Sequence, residues 1–211
     1  MMSLEEKKNF FLISPPEKGI INYANIFGNY HELSLEIGSG KGEFLALVSQ
    51  KFPEKNFLGV ELKKKRIITI LKKLDPKKNK NVRLLNLRVD SMITNYLPSA
   101  CLNELIIYHP DPWPKKRHHK HRLFQPNFLE ACSQLLKDKG LIKISTDHAE
   151  YAQWITNLFS QRDDLLSLLP DQYCLTPPVD HFPTFFDQLQ KEKGFDTWFM
   201  IYHKIMKEKK E

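Results

Sequence analysis

A glycine-rich segment offers the first recognisable chemistry in the sequence. Residues 36–42 read Glu-Ile-Gly-Ser-Gly-Lys-Gly and stand between a predicted strand and a predicted helix. Because glycine has no side chain, Gly38, Gly40 and Gly42 let the backbone turn tightly and approach a ligand. A dinucleotide fingerprint needs glycine at position 43, which is Glu43 here, and a carboxylate at a helix N-terminus repels a pyrophosphate. The segment predicts a nucleoside ligand without phosphates.

Two carboxylates follow the next two predicted strands. Glu61 is placed to accept hydrogen bonds from both hydroxyls of a ribose, and Asp90 to hold an adenine amino group. Together they fit S-adenosylmethionine, which carries adenine, ribose and a sulfonium but no phosphate. Glu36 would then lie near the methionine end, directly or through water. The structural alternatives are a plain turn at the glycines and a helix cap at Glu61 or Asp90.

A proline-rich basic segment follows the fourth predicted strand. Residues 108–122 read Tyr-His-Pro-Asp-Pro-Trp-Pro-Lys-Lys-Arg-His-His-Lys-His-Arg. The prolines restrict the backbone and hold Asp111 and Trp113 in a stiff loop, which predicts a carboxylate at the mouth of the cofactor cleft. The cations that come next predict a phosphate-binding arm; they are Lys115, Lys116, Arg117, Lys120 and Arg122.

The same segment allows other interpretations. Zinc binding by His118, His119 and His121 is disfavoured, because no cysteine or carboxylate stands at ligand spacing. Trp113 fits core packing and base stacking equally well. A basic run elsewhere, Lys63–Arg66, is read as a solvated helix face.

Two further segments carry candidate groups. Asp147 ends the fifth predicted strand and faces the same cleft, and it also fits the N-cap of the next helix. Thr184, Phe185, Phe186 and Asp187 follow a proline-rich stretch and, by themselves, predict only a loop that enters a helix.

The elements that position these groups alternate between strand and helix. Strands are predicted at 33–37, 56–61, 82–87, 102–108 and 141–146, and helices at 43–51, 63–74, 125–136 and 148–161. A further strand is expected at 197–203, with a weaker candidate near Tyr173. This alternation predicts right-handed crossovers and a mostly parallel sheet, in which ligands bind beyond the carboxyl ends of the strands.

Length and composition fit one soluble domain. The chain has 211 residues, 41% of them hydrophobic, and a net charge of +7. The prediction is a single domain at 33–211 with an N-terminal extension at 1–32 that packs on or near it. The absence of an apolar run of membrane-spanning length, a charged N-terminus and three scattered cysteines (Cys101, Cys132, Cys174) predict a cytoplasmic protein without a membrane partner.

These motifs, in this order, resemble those of the bacterial tRNA (guanine-N7)-methyltransferases. The resemblance runs from about Leu33 to Gly194, and its specific part is the Pro-Asp-Pro-Trp-Pro-Lys-Lys-Arg-His-His-Lys block at 110–120. It implies a Rossmann-like class I methyltransferase fold with a seven-stranded, mostly parallel sheet and helices on both faces. It also implies S-adenosylmethionine as cofactor and tRNA as partner, with methylation of guanine N7 at position 46 of the variable loop.

The resemblance also implies roles for individual residues. The cofactor site would be contacted or lined by Glu36, Gly38, Gly40, Glu61, Asp90 and Asp111; the tRNA guanosine would be bound by Lys115, Asp147, Thr184, Phe185, Phe186 and Asp187. Two departures stand out: Tyr108-His109 replaces the two phenylalanines of many members, and Asp187 replaces the commoner glutamate.

The chemistry of guanine N7 needs no general base, because N7 carries a lone pair and no proton. A carboxylate that stabilises the developing purine cation is the expected device. We expect Asp111 to be the catalytic residue, sharing this role with Asp147, and Asp187 as a third candidate.

Several rival functions remain to be tested. They are a nicotinamide-dependent oxidoreductase, a non-catalytic RNA-binding module, a methyltransferase of proteins or small molecules, and another S-adenosylmethionine-dependent RNA methyltransferase. No metal is expected, and a monomer and a homodimer are both open.

Overall fold

One mostly parallel sheet organises the protein. The computed structural model describes residues 2–15 and 19–206. Its strands are β1 (Leu12–Ile13), β2 (Glu32–Ile37), β3 (Lys55–Val60), β4 (Val82–Leu85), β5 (Leu102–Tyr108), β6 (Leu136–Thr146), β7 (Leu165–Ser167) and β8 (Trp198–Lys204). They lie in the order β1-β4-β3-β2-β5-β6-β8-β7, and β8 runs antiparallel to both of its neighbours.

Helices connect the strands. They are α1 (Leu4–Phe11), α2 (Tyr23–Phe27), α3 (Glu43–Lys51), α4 (Lys64–Lys73), α5 (Pro126–Leu135), α6 (Ala149–Phe159) and α7 (Phe185–Glu192), with 3-10 helices at Ser91–Asn95 and Lys116–His121. No helix in the ranges 2–15 and 19–206 is long and apolar enough to cross a membrane.

Alternating side chains divide the core into two layers. Leu33 and Leu35 of β2 belong to the layer that α5 and α6 cover, whereas Phe57 of β3 and Ile106 of β5 belong to the layer that α3 and α4 cover. Successive side chains of a strand point to opposite faces, so a sheet buried on both sides needs apolar residues in succession. The predicted apolar strands are explained by this burial.

The chain order places a crevice in the middle of the sheet. The chain runs from β2 through β3 to β4 on one side, and β5 then returns to pair with the other edge of β2. The strand order reverses between β2 and β5, and ligands of such sheets bind outside the carboxyl ends of the strands at this point. The segments after β2 and β5 hold the glycines and Asp111.

The structure confirms the predicted fold class and corrects its details. The sheet has eight strands rather than seven, because Leu12–Ile13 of the N-terminal segment pairs in parallel with β4. β6 begins at Leu136 rather than at 141, since its first residues pair with β5 across a register shift. Near Tyr173 there is one isolated bridge from Cys174 to Phe199, and the three-residue β7 escaped prediction because it is too short to show a period.

Candidate active site

A cavity of about 550 Å³ opens at the carboxyl ends of β2, β3 and β5. Four of the predicted cofactor residues lie on its wall, namely Gly38, Glu61, Asp90 and Asp111. The volume is within the range of small-molecule sites. Residues from four separate stretches of the sequence therefore converge as predicted.

The glycine loop is fixed to the end of β3. The N–H groups of Gly38 and Ser39 both donate to the Val60 carbonyl, at 2.8 and 3.1 Å. Gly38 has φ +79°, which disfavours any side chain, and a Cβ there would point into open space. The backbone is thus exposed at the point where a ligand can approach it.

Glu61 joins this loop to the start of α4. Its Oε2 atom accepts from the Gly40 N–H at 3.0 Å, and its Oε1 atom accepts from the Lys63 N–H at 2.8 Å. Arg66 adds an ion pair at 3.5 Å. The side chain is only 3% exposed but borders the cavity, so the carboxylate is held rigidly at the cavity wall. Gly40, also predicted to contact the cofactor, is not on the cavity wall, and its N–H donates to Glu61.

Asp90 serves as a cap and as a wall residue. Its Oδ1 atom accepts from the Met92 N–H at 2.9 Å and so caps the first 3-10 helix. The side chain is exposed to the cavity. The capping alternative is therefore correct, and it is compatible with ligand binding because a carboxylate has further acceptor sites.

Glu36 is buried beneath the glycine loop rather than on the cavity wall. Burial raises the pKa of Glu36 to about 7, and the nearby Glu43 and Glu61 add to this effect. Its Oε2 atom has no hydrogen-bond partner among the described residues. An orphaned buried carboxylate oxygen fits an ammonium group or a water-bridged donor of a ligand.

The stiff loop presents Asp111 and Trp113 to the cavity. Trp113 adopts φ +45°, is 37% exposed and contacts the rings of His118 and His121 at 5.8 and 5.3 Å between centroids. Asp111 is exposed on the same wall. Trp113 therefore lies at the cavity mouth. This position excludes the alternative that Trp113 packs in the core.

Four of the five predicted RNA-contacting cations are exposed beside the cavity. We call this group the basic arm; it comprises Lys115, Lys116, Arg117 and Lys120. No group of three potential metal ligands occurs in the described part of the chain.

The assignment of Arg122 to RNA is wrong. Its side chain is buried, and only 2% of the residue is exposed. The guanidinium donates to the Pro112 carbonyl at 2.9 Å and to Glu150 at 3.1 Å, and it lies over the rings of Tyr151 and Trp154. Arg122 thus anchors the stiff loop to α6 and presents no charge to a phosphate.

Three of the predicted guanosine-binding residues, Asp147, Phe186 and Asp187, meet around a histidine on the cavity wall. His109, which lines the cavity, lies 2.6 Å from Asp187 and 3.8 Å from Asp147. Thr184 and Asp187 form a capping box at the start of α7, so much of the Asp187 carboxylate is occupied internally. Phe186 contacts the His109 ring and is 39% exposed. The side chain of Phe185 lies outside the described part of the structure.

The electrostatic interactions in this group favour a protonated His109 and an ionised Asp187. Burial opposes protonation of His109, but the carboxylates of Asp147 and Asp187 outweigh it and raise the pKa of His109. Burial also opposes ionisation of Asp187, but His109, His181 and the Thr184 N–H hold the pKa of Asp187 far below its usual range. Sequence reasoning did not assign a role to His109 or His181; the only signal was the departure at position 109.

Comparisons with known proteins show which family and fold this chain resembles. The family described as "Putative methyltransferase" matches residues 31–200. A tRNA (guanine-N(7)-)-methyltransferase of Marinobacter nauticus is 31% identical over 89% of this chain and 79% of its own length, and one of Buchnera aphidicola subsp. Acyrthosiphon pisum is 34% identical over 86% and 77%. Among solved structures, "SMU.1697c, a putative methyltransferase" from Streptococcus mutans in complex with SAH shares the fold, with a TM-score of 0.54, 13% identity and coverage of 83% and 89%.

Proposed function

The chain belongs to the family of the tRNA (guanine-N(7)-)-methyltransferases, and we propose that it transfers the methyl group of S-adenosylmethionine to N7 of a guanine in tRNA. One observation carries the proposal. A single cavity joins Gly38, Glu61, Asp90 and Asp111, and the exposed basic arm borders it. Nucleoside recognition and polyanion attraction thus occur side by side, which neither a dinucleotide enzyme nor a simple RNA-binding module requires.

The cavity residues fit an adenosine-containing cofactor. Glu61 would accept from the ribose hydroxyls, Asp90 from the adenine amino group, and the Gly38 backbone would allow close approach. The unpaired oxygen of Glu36 fits the ammonium of the methionine part, directly or through water. When bound, S-adenosylmethionine supplies an electrophilic methyl group on a sulfonium; the SAH complex of the Streptococcus mutans protein is consistent with this class of ligand.

The protein groups would act by orientation and charge. Guanine N7 is already nucleophilic, so holding N7 in line with the methyl group lowers the barrier without a general base. The purine gains a positive charge as the N7–carbon bond forms and the sulfur–carbon bond breaks. Asp111 on the cavity wall and Asp147, which lies next to the wall residue His109, would supply negative charge where this cation develops, and this charge favours the transition state over the ground state.

The basic arm supports a tRNA substrate. Its four exposed cations would contact phosphates of the tRNA backbone, and Trp113 at the cavity mouth offers a stacking surface for a base. Position 46 of the variable loop is the target that the family resemblance indicates.

A transfer assay tests the proposal. The protein is incubated with methyl-labelled S-adenosylmethionine and unmodified tRNA, and the product is digested and its nucleosides are identified by mass spectrometry. We expect 7-methylguanosine from position 46, and no transfer to a tRNA that carries 7-deazaguanine there. Methylation at a different atom or base would favour the alternative of another RNA methyltransferase, and no transfer to RNA would refute the proposal.

A further inference from the structure

Two of the three positions at which this chain departs from the family pattern, His109 and Asp187, are in direct contact. His109 follows β5, Asp187 lies in the first turn of α7, and the His109 Nε2 atom is 2.6 Å from Asp187 Oδ1. An ionised carboxylate only accepts hydrogen bonds, so Nε2 carries the proton of this contact. The contact ties α7 to the cavity, because His109 is also a wall residue.

The other nitrogen of His109 faces a second carboxylate. Its Nδ1 atom is buried, lies 3.8 Å from Asp147 Oδ1 and has no hydrogen-bond partner among the described residues. The imidazole packs against the Phe186 ring, with 4.6 Å between the ring centroids. The backbone of His109 adopts φ +49°, a conformation that non-glycine residues rarely take. The ring is therefore held in one orientation between two acids.

The groups around His109 set its charge. Asp147 faces it from the end of β6, Asp187 faces it from α7, and His181 binds the second oxygen of Asp187 at 3.1 Å. Thr184 donates to that same oxygen through its N–H and its hydroxyl. Asp187 is thus kept anionic by several donors, whereas the pKa of Asp147 is lowered chiefly by His109, with a smaller contribution from His148.

We propose that His109 is a positioning residue for the methyl transfer, which as an imidazolium holds the Asp147 carboxylate at the edge of the cavity and anchors α7 through Asp187. The inference rests on the proposed function, in which Asp147 meets the guanine. Only the protonated ring carries a hydrogen on both nitrogens, so only this form presents a positive Nδ1–H toward Asp147 at 3.8 Å while Nε2 donates to Asp187. When the ring loses a proton, Nδ1 presents a lone pair to Asp147, and that carboxylate is released while the bond to Asp187 persists.

A double-mutant cycle tests this coupling. The KM for tRNA and kcat are measured at pH 6.5 for the wild type, His109→Phe, Asp187→Asn and the double variant. We expect each single variant to raise the KM for tRNA about tenfold and to lower kcat less than threefold, with the double variant no worse than the worse single variant. His31→Phe, at an exposed histidine before β2, is the matched control and should behave as the wild type.

The pH dependence separates positioning from mere structural support. We expect the wild-type KM for tRNA to rise as pH increases through the pKa of His109, and His109→Phe to show no such rise. His109→Gln keeps a donor toward Asp187 and guards against misfolding; it should retain S-adenosylmethionine affinity but lose the pH response.

The outcomes discriminate between the two proposals. The positioning role would be overturned if the increases in KM of the two single variants multiply in the double variant, or if His109→Gln keeps the wild-type pH response. Neither result would affect the proposal that the wild type methylates tRNA. A wild-type protein that methylates no tRNA would overturn the proposed function and this inference with it.

Discussion

Replacement of Glu61 by glutamine tests the cofactor site most directly. Each carboxylate oxygen accepts one backbone N–H, from Gly40 at 3.0 Å and from Lys63 at 2.8 Å. In Glu61→Gln, one of these positions becomes an NH2 group, which cannot accept. The variant therefore loses at least one charge-assisted hydrogen bond in a nearly fully buried environment.

The expected magnitude follows from that single loss. A hydrogen bond to a charged group contributes about 1.5–3 kcal/mol, and about 1.4 kcal/mol corresponds to a tenfold change in affinity. We expect the Kd for S-adenosylmethionine to rise roughly 30-fold, because the ribose also loses an acceptor. Disruption of the loop should lower the Tm of the ligand-free protein by about 4–8 °C.

Isothermal titration calorimetry and a thermal melt measure the two effects. Glu43→Gln is the matched control: Glu43 also lies beside the glycine loop, but it pairs with Lys73 at 2.5 Å and is absent from the cavity wall. Its Kd should stay within twofold of the wild-type value. An unchanged Kd in Glu61→Gln would show that the ribose does not bind here.

Three other predictions address catalysis, RNA binding and pH. Asp111→Asn should lower kcat about 100-fold or more while the Kd for S-adenosylmethionine changes less than fivefold; lost binding with intact turnover would make Asp111 only a cofactor ligand. Substitution of Lys116, Arg117 and Lys120 by alanine should lower the slope of log Kd for tRNA against log salt concentration by about 2–3, as measured by filter binding. Substitution of Lys77, Lys78 and Lys80 by alanine should leave this slope unchanged. The folded pKa of Glu36, about 7, exceeds its unfolded value of 4.5, so the folded state binds the proton more tightly and loses roughly 3 kcal/mol of stability as pH rises from 4.5 through 7. Glu36→Gln should therefore gain Tm relative to the wild type between pH 5 and pH 8 without cofactor, and parallel melting curves would contradict this reasoning.

The sequence was sufficient to locate the cavity residues that directly follow a predicted strand. Gly38, Glu61, Asp90 and Asp111 each follow a strand with a clear apolar pattern, and parallel strands bring such positions to one edge. The position of the cavity and four of its wall residues were therefore predictable from the sequence. The helix and strand bounds around it were also predicted to within two residues, apart from the start of β6.

Long-range contacts could not be predicted in the same way. His109 and Asp187 are 78 residues apart, and nothing in their local patterns indicates that they meet. Arg122 belongs to the basic run of the sequence, yet its side chain is buried, because its charge is paired with Glu150 and its guanidinium lies over two aromatic rings. Charge counted along a sequence does not distinguish a solvent-facing cation from a buried one.

The N-terminal helix and strand have a consequence for self-association. β1 pairs with β4, and Lys7 Nζ donates to the Leu74 carbonyl at 2.5 Å, just beyond the C-terminal end of α4. Without residues 2–15, the backbone donors and acceptors on the outer side of β4 would lack these partners, and the pocket around fully buried Phe11 would open. Such an uncovered strand is a template for pairing between molecules. The short leading segment thus protects the sheet against edge-to-edge aggregation.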